Sequence, residues 1–211
     1  MTGDVMPLPP DETPAQPAVL PRPRASRRSL LREIVETLIL VAAIYTLVNL
    51  VSARFIVDGS SMSPNFTTGQ FIIVNRLSYL LSQPSRGDVI VFNSPDDPGR
   101  DFIKRVIGLP GETIAVRDGL VYVDGVPLDE PYIAAPPRYS GEWRLGPGEY
   151  FVLGDNRNDS QDSHTFGPLA RGRIVGQAWI IYWPPEDWGV IPHYSYDGRP
   201  PSPATRPLLA P

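Results

Sequence analysis

The first candidate for chemistry is Lys104, the only lysine among the 19 basic residues of this 211-residue chain. All the others are arginines, so the chain uses a guanidinium wherever a surface cation suffices. A guanidinium keeps its proton inside a protein, whereas a buried ammonium can lose it. Lys104 is therefore a candidate for a neutral amine that acts as a base, although codon bias would explain a lone lysine equally well.

The segment 102–108 around Lys104 is rich in β-branched and aromatic residues and predicts a β-strand. Side chains alternate along a strand, which puts Lys104 on the same face as Phe102 and Val106. Apolar neighbours lower the pKa of an ammonium, and a neutral amine near pH 7 can accept a proton from a hydroxyl group. The more common outcome for a lysine in an alternating strand is a side chain that reaches solvent.

Two serines, Ser60 and Ser61, form the second candidate, in the segment 57–64 with the sequence VDGSSMSP. Gly59 before them allows a tight turn and the close approach of another backbone. A serine in such a turn can present its hydroxyl as a nucleophile and its own N–H as a donor to an oxyanion. An ordinary surface loop is the more frequent meaning of a Gly-Ser segment taken alone.

The third candidate is the polar segment 154–167, which follows an apolar run and has the sequence GDNRNDSQDSHTFG. Its aspartates raise the question of a calcium site, but their spacing is not that of an EF-hand and Arg157 disfavours a cation. The alternatives are a solvated loop and a loop that supports a site by hydrogen bonds. His164 in this segment is an alternative base to Lys104, whereas the other histidine, His193, lies in a proline-rich tail.

Composition excludes several kinds of site. The chain has no cysteine, which excludes disulfides, thiolate zinc sites, iron–sulfur clusters and cysteine nucleophiles. Two histidines are too few for a histidine-rich metal site. The formal net charge of -4 argues against a nucleic-acid-binding protein, which usually carries a basic surface.

The elements that must position these residues begin with an apolar segment, residues 34–53. Twenty helical residues rise about 30 Å, enough to cross the hydrocarbon core of a membrane. Several arginines lie shortly before this segment and only Arg54 follows it closely, so the positive-inside rule predicts a cytoplasmic N-terminus. A buried core helix and a cleaved signal peptide are the alternatives, and an uncleaved single-pass anchor in the cell membrane is favoured.

Beyond the anchor, the pattern of short strands and turns predicts an extracytoplasmic all-β domain over residues 54–184. Asp118-Gly119 between two of the strands is typical of a tight hairpin turn. Proline-rich composition predicts a disordered cytoplasmic arm over residues 1–33 and an irregular tail over residues 185–211. The predicted strands are 70–75, 88–93, 102–108, 112–117, 120–123, 149–153 and 173–182.

Four segments together resemble the conserved boxes of type I signal peptidases. They follow the apolar segment in the family's order, and the resemblance covers residues 36 to about 184. Several motifs in order are a far stronger signal than any one of them. The segments are SMSP at 61–64, GDVIVF at 87–92, KRVIGLPG at 104–111 and the polar segment from GDNR at 154–157 to FG at 166–167.

The resemblance implies a role for each matching residue. Ser61 would be the nucleophile, with its backbone N–H as an oxyanion donor, and Lys104 would be the general base. Some members have a serine at the position of Gly59 as a second oxyanion donor, a role that would fall here to Ser60, the backbone or water. The supporting residues would be Ser160, which would hold the Lys104 amine, the pair Arg105 and Asp155, and Asp162 with Ser163.

His164 departs from the family pattern, which usually has arginine at this position. A pair between His164 and Asp162 would be sensitive to pH, because histidine loses its charge near neutrality. We do not expect His164 to be a catalytic base.

The resemblance implies a membrane-anchored serine endopeptidase that removes N-terminal signal peptides from exported preproteins through an acyl-enzyme. The implied fold is a mostly antiparallel β domain with two sheets, preceded by a single transmembrane helix. The implied partners are signal peptides and the lipid bilayer, without nucleic acid, and the family uses neither a metal nor an organic cofactor. Two alternatives stay open: a Ser/Lys peptidase with a narrow substrate range, and an inactive membrane-tethered β domain that binds extended peptides.

Overall fold

The computed structural model describes residues 27–80, 82–194 and 196. The chain divides into two compact units, residues 1–43 and 44–211. The described part of the first unit lies within helix α1 (Arg27–Val51), and all the strands described belong to the second. Most of the predicted cytoplasmic arm, residues 1–26, lies outside the described residues.

Helix α1 contains an apolar stretch, Leu30–Val51, that is long enough to cross a membrane by length and composition. Its 22 residues rise about 33 Å, because each helical residue adds about 1.5 Å. The predicted anchor, residues 34–53, extends two residues too far. Ser52 and Ala53 belong instead to the first β-strand, where both pair with the strand that follows.

The second unit contains twelve described strands and one short α-helix after α1. The strands are β1 (Ser52–Ile56), β2 (Phe71–Asn75), β3 (Val89–Asn93), β4 (Asp101–Gly108), β5 (Thr113–Arg117), β6 (Leu120–Val123), β7 (Val126–Pro127), β8 (Gly141–Arg144), β9 (Glu149–Leu153), β10 (Leu169–Ala170), β11 (Ile174–Trp183) and β12 (Gly189–Val190). The helix is α2 (Ser163–Phe166).

The strands form two antiparallel sheets, which confirms the predicted all-β fold with two sheets. The larger sheet has the order β1-β2-β11-β3-β4-β9-β10, with β12 on the side of β11. The smaller sheet has the order β7-β6-β5-β8, and its β5–β6 hairpin turns at Asp118 and Gly119. Sequence neighbours pair in both sheets, but β2 and β3 are separated by β11, a strand that comes about a hundred residues later in the chain.

Strand β4 lies between β3 and β9, which puts Lys104 inside the larger sheet rather than at its edge. Lys104 is opposite Ile90 of β3, and Arg105 is opposite Leu153, the last residue of β9. The polar segment 154–167 therefore starts beside Arg105, one residue away from Lys104 along the chain. Register in the sheet, rather than proximity in sequence, brings this segment to the lysine.

The hydrophobic core holds the serine-containing turn in position. Val57, Met62 and Phe66 are all at most 3 % exposed and pack with apolar residues of β2, β3 and β11 in one cluster. These three residues flank Ser61 on both sides, so the turn is anchored by apolar burial although its tip is polar.

The folded domain continues beyond Pro184, where the predicted tail begins. Strand β12 pairs with β11, and Ile191 is only 1 % exposed within the core. The proline-rich composition misled the prediction, because prolines outside the strand ladders do not prevent single apolar residues between them from packing. Residues 197–211 of the predicted tail lie outside the described residues.

Candidate active site

Lys104 and Ser61 are in direct hydrogen-bond contact. Lys104 Nζ donates to Ser61 Oγ over 2.7 Å and to the carbonyl oxygen of Ile103 over 2.9 Å. The two residues are 43 positions apart in the sequence, and β4 and the turn after β1 bring them together. A hydroxyl group and a side-chain amine at this distance can exchange a proton without an intervening water.

The environment of Lys104 favours the neutral amine. The residue is 3 % exposed, and burial lowers its pKa from the ordinary 10.5 to about 8. The carboxylates of Asp162 and Asp155 oppose this shift, because negative charges stabilise the ammonium. The ring of Phe102 lies on the same side of β4, with its centre 5.2 Å from Nζ.

The polar segment after β9 binds the backbone carbonyl groups of both Ser60 and Ser61. Asn156 donates its backbone N–H to the Ser61 carbonyl oxygen over 3.0 Å and its side-chain amide to the Ser60 carbonyl over 3.2 Å. Gly154 lies so close that a Cβ added there would overlap the Ser61 carbonyl oxygen and the Ser160 hydroxyl. Among the described residues, none accepts a hydrogen bond from the Ser61 backbone N–H, which leaves it available to an oxyanion.

Arg105 and Asp155 form a bidentate ion pair that joins β4 to the polar segment. Arg105 Nε and Nη2 each donate to one carboxylate oxygen over 2.8 Å, and both side chains are at most 3 % exposed. Asp155 also accepts a hydrogen bond of 2.8 Å from the side chain of Asn65. One carboxylate thus connects the lysine strand, the polar segment and the turn that carries Ser61.

Asp162 and Ser163 fix the polar segment against the end of β9. Asp162 caps helix α2 and accepts the Gly154 N–H over 2.9 Å, while Ser163 Oγ accepts the Val152 N–H over 3.0 Å. His164 Nδ1 lies 2.7 Å from the other Asp162 oxygen, and its ring stacks on Tyr139 with 4.0 Å between ring centres. His164 therefore contacts Asp162 but not Ser61 or Lys104.

Two of the predicted contacts differ in the structure. The buried Ser160 Oγ has no hydrogen-bond partner among the described residues, so the predicted bond to the Lys104 amine is not formed. Lys104 Nζ is engaged by Ser61 and the Ile103 carbonyl instead. Ser60 Oγ donates to Asp159 Oδ2 over 2.5 Å, so its only hydrogen is directed at a carboxylate rather than at an oxyanion.

One supporting pair was not predicted from the sequence. Arg157 of the polar segment is fully buried and donates through both terminal nitrogens to Glu130 over 2.6 Å. Glu130 lies in the connection between β7 and β8, which also bonds Asn158 through the Pro136 carbonyl and the Arg138 N–H. Nothing around Glu130 in the sequence distinguishes it from a surface acid, so only the folded chain identifies it as the partner of Arg157.

A cleft of about 360 Å³ opens onto Ser61 and Lys104. Its lining is about equally apolar and polar, and the polar residues beside the serine include Ser60 and Asp159. The described residues contain no group of three or more His, Cys, Asp or Glu side chains arranged to hold a metal ion. The apolar lining residues are Phe55, Ile56, Val57, Ile72, Val91, Phe102 and Ile103.

Comparison with known protein families gives this arrangement a context. Residues 30–183 match the family described as signal peptidase, peptidase S26, which is more than half of the chain. The chain belongs to this family. The match includes Ser61, Lys104 and the whole polar segment, so the residues in contact at the cleft all lie within the family region. The chain is therefore a peptidase of the signal peptidase type, which hydrolyses peptide bonds to remove signal peptides.

Two related sequences agree with the family assignment, and one solved structure was also found. The chain is 40 % identical over 205 residues to a signal peptidase I from Leptolyngbya laminosa, covering 92 % of this chain and 95 % of the relative. It is 41 % identical over 148 residues to a probable signal peptidase I-1 from Synechocystis, covering 66 % of this chain and 76 % of the relative. A solved signal peptidase I from Enterococcus faecalis V583 is 35 % identical, covering 46 % of this chain and 97 % of that chain, with a TM-score of 0.43. Family membership and the apolar helix α1 together indicate membrane association.

Proposed function

We propose that this signal peptidase cleaves signal peptides from exported preproteins with Ser61 as nucleophile and Lys104 as general base. The observation that carries the proposal is the 2.7 Å contact between Ser61 Oγ and Lys104 Nζ. The second is the burial of that amine, which lowers its pKa to about 8. A nucleophile activated by an adjacent base whose pKa lies near the working pH is the requirement for acyl transfer.

The reaction starts from the neutral amine. In that form the Ser61 hydroxyl donates to Nζ over the same distance, and Lys104 takes the proton as Ser61 attacks the carbonyl carbon of the peptide bond. The Ser61 N–H donates to the oxyanion that develops. Lys104 then gives the proton to the leaving amine, and an acyl-enzyme remains on Ser61. A water that loses its proton to Lys104 attacks this ester, and Lys104 returns the proton to Ser61 Oγ as the acid product leaves, which restores the free enzyme.

The cleft supports an extended peptide as the substrate. Its apolar residues line the same cleft as Ser61, so apolar side chains before the cut can be buried there as Ser61 meets the carbonyl. Arg105, Asp155, Asp162 and Ser163 act on the geometry of Ser61 and Lys104 rather than on the substrate.

The catalytic pair is tested by two substitutions in the full-length chain. Ser61→Ala removes the nucleophile, and Lys104→Arg keeps a positive charge but removes the neutral amine. We expect each to lower kcat for cleavage of an exported preprotein by roughly 10³-fold or more, because neither member of such a pair acts alone.

The matched control is Ser63→Ala, which removes a hydroxyl two residues away from the nucleophile. Among the described residues, Ser63 Oγ bonds only the Phe66 carbonyl, at 3.4 Å, so activity should be retained. Retention of more than a tenth of the activity by Lys104→Arg would contradict the proposed base.

We also propose that α1 crosses the membrane once with the N-terminus in the cytoplasm. The support is the asymmetry of arginine: a group of them lies before the helix and in its first turns, whereas Arg54 alone follows closely. This orientation leaves Ser61 only ten residues beyond the end of α1 at Val51, on the extracytoplasmic side. A signal peptide also leaves the bilayer on that side, and tethering raises the local concentration of enzyme there.

A further inference from the structure

The family match ends at residue 183, but the chain beyond it contacts the supports of Lys104. Ile191 is buried and donates its N–H to the Trp179 carbonyl of β11 over 2.8 Å. The residues after it run across the start of β3. The described residues 191–194 and 196 form a segment that we call the C-terminal strap.

The strap bonds the backbone at the start of β3. The Val89 N–H donates to His193 Nδ1 over 3.2 Å, and the Tyr194 N–H donates to the Gly87 carbonyl oxygen over 3.3 Å. The approach is so close that a Cβ at Gly87 would overlap the backbone carbonyl of Tyr194. Gly87 also has a φ of 93°, which favours glycine, so both space and backbone conformation exclude a side chain here.

Gly87 connects the strap to the ion pair beside the lysine. Its carbonyl oxygen accepts the Tyr194 N–H and also Arg105 Nη1, the latter over 3.0 Å. Arg105 follows Lys104 in β4, and its other nitrogens bind Asp155. The strap and the buried guanidinium therefore share one acceptor.

A second connection runs through two tyrosines. The hydroxyl groups of Tyr196 and Tyr132 lie 3.0 Å apart, and Tyr196 also donates to the Asp129 carbonyl over 2.8 Å. The ring of Tyr132 stacks against the Arg105 guanidinium, whose carbon lies 4.3 Å from the ring centre. The Tyr132 carbonyl accepts the side chain of Asn65 over 2.8 Å, and Asn65 in turn binds Asp155.

We propose that Tyr194 and Tyr196 of the C-terminal strap are positioning residues for Lys104, which act through Gly87, Tyr132 and the Arg105–Asp155 pair. No residue of the described strap lines the cleft. Loosening the strap should therefore change the alignment of Lys104 with Ser61 without changing the walls that hold the substrate. The inference rests on the proposed role of Lys104 as the base.

The first test compares two shortened chains with the full-length chain. One ends after Tyr196 and keeps the strap, and the other ends after Pro192 and loses most of it. We expect the first to match the full chain and the second to lose roughly 10- to 100-fold in kcat with KM within about twofold, because small misplacements of catalytic groups have effects of this size. The folded fraction of each chain is measured by its cooperative unfolding transition.

The second test uses point variants, which keep the proposal testable if the shorter chain fails to fold. Tyr196→Ala removes the contact with Tyr132 and should lower kcat by roughly tenfold at unchanged KM. The matched control is Tyr122→Ala, since Tyr122 stacks on Arg117 at 4.4 Å in the smaller sheet without a link to Lys104. Tyr196→Phe removes only the hydroxyl group and should lose nearly as much activity as Tyr196→Ala, because that hydroxyl makes the contacts with Tyr132 and the Asp129 carbonyl.

The outcomes separate this inference from the proposed function. A kcat within twofold of wild type in Tyr196→Ala would overturn the positioning role while leaving the Ser61–Lys104 pair intact. A loss of activity in Tyr196→Ala that is no larger than its unfolded fraction would also overturn the positioning role. Full activity in Lys104→Arg would instead remove the base, and with it the proposed function. Equal losses of kcat in Tyr196→Ala and Tyr122→Ala would also overturn the inference.

Discussion

The burial of Lys104, which favours its proposed role as a base, also carries a thermodynamic cost. Burial at 3 % exposure removes water from the amine, and the two hydrogen bonds it makes do not include a carboxylate. The pKa therefore falls to about 8, although Asp162 and Asp155 raise it. The same desolvation that produces a usable base makes the ammonium form unfavourable in the folded chain.

This balance predicts the pH dependence of cleavage. With a pKa of about 8, roughly a tenth of the molecules hold a neutral amine at pH 7 and roughly nine-tenths at pH 9. We therefore expect kcat/KM for a signal-peptide substrate to rise through a midpoint near pH 8. The measurement is a profile from pH 6 to 10, repeated in His164→Gln, which should have the same midpoint. A midpoint near 10.5, or one that moves with His164, would contradict the assignment.

Removing the Lys104 amine should make the fold more stable although it abolishes cleavage. Lys104→Met keeps the length of the side chain and removes the group whose charging is unfavourable. Its loss of two hydrogen bonds offsets part of the gain, so we expect the free energy of unfolding at pH 7 to increase by about 1–3 kcal/mol while cleavage is abolished.

The stability of the wild-type chain should also depend on pH through Lys104. Because the folded pKa of Lys104 is lower than the unfolded value of 10.5, the unfolded chain binds more protons between about pH 8 and 10.5. The free energy of unfolding of the wild-type chain should therefore rise with pH over that interval. The difference between Lys104→Met and wild type in urea unfolding should be larger at pH 7 than at pH 10. If the difference in free energy of unfolding does not change with pH, the pKa of Lys104 is the same in the folded and the unfolded chain.

The connection between β7 and β8 supports the active site from outside the larger sheet. It bonds the polar segment after β9 at both Arg157 and Asn158, through a buried ion pair and two backbone contacts. The polar segment then bonds the Ser61 carbonyl through Asn156. The smaller sheet thereby contributes to the site through one connecting segment, although none of its strands lines the cleft.

Removing the charge of Glu130 should weaken this support strongly. Glu130→Gln leaves the Arg157 guanidinium buried without its carboxylate, which costs about 3–5 kcal/mol in comparable buried pairs. The control is Asp97→Asn, which breaks an exposed pair with Arg100 at 3.8 Å and should change stability by less than about 0.5 kcal/mol. Urea unfolding of both variants measures the difference. Equal losses of stability in Glu130→Gln and Asp97→Asn would show that Arg157 finds another partner when Glu130 is replaced.

The molecule as a whole combines an apolar helix with a β domain whose serine follows that helix closely in sequence. Family membership and α1 indicate membrane association, and the arginine pattern predicts its direction. The absence of cysteine from the sequence makes the direction easy to measure, since a single introduced cysteine is the only thiol.

Two cysteine variants should be labelled from opposite sides of the membrane. Asp96→Cys lies at an exposed position in the turn between β3 and β4, and Ala25→Cys precedes α1. A membrane-impermeant maleimide added to intact cells should label Asp96→Cys, and it should label Ala25→Cys only after permeabilisation. The cysteine-free parent should take no label. The reverse pattern would place the catalytic domain in the cytoplasm.

Local sequence patterns already predicted most of the architecture. The two sheets were implied only by the resemblance to signal peptidases. Alternating apolar residues predicted the strands around Lys104 and an all-β domain, and the lone lysine beside apolar residues indicated a depressed pKa. These features depend on periodicity and side-chain chemistry within a few residues, so they can be read from the chain directly. The end of α1 at Val51 and the folded residues after Pro184 could not be read from local sequence, because the pairing of strands decides both.

The contacts that make a site depended on long-range packing. Asp155 meets Asn65 across 90 residues, Glu130 meets Arg157 across 27, and Tyr196 meets Tyr132 across 64. Ser160 is buried without the predicted bond to Lys104, which no local pattern could reveal. The chemistry of each side chain is local, whereas its partner, its exposure and hence its pKa follow from which strands and loops the core brings together.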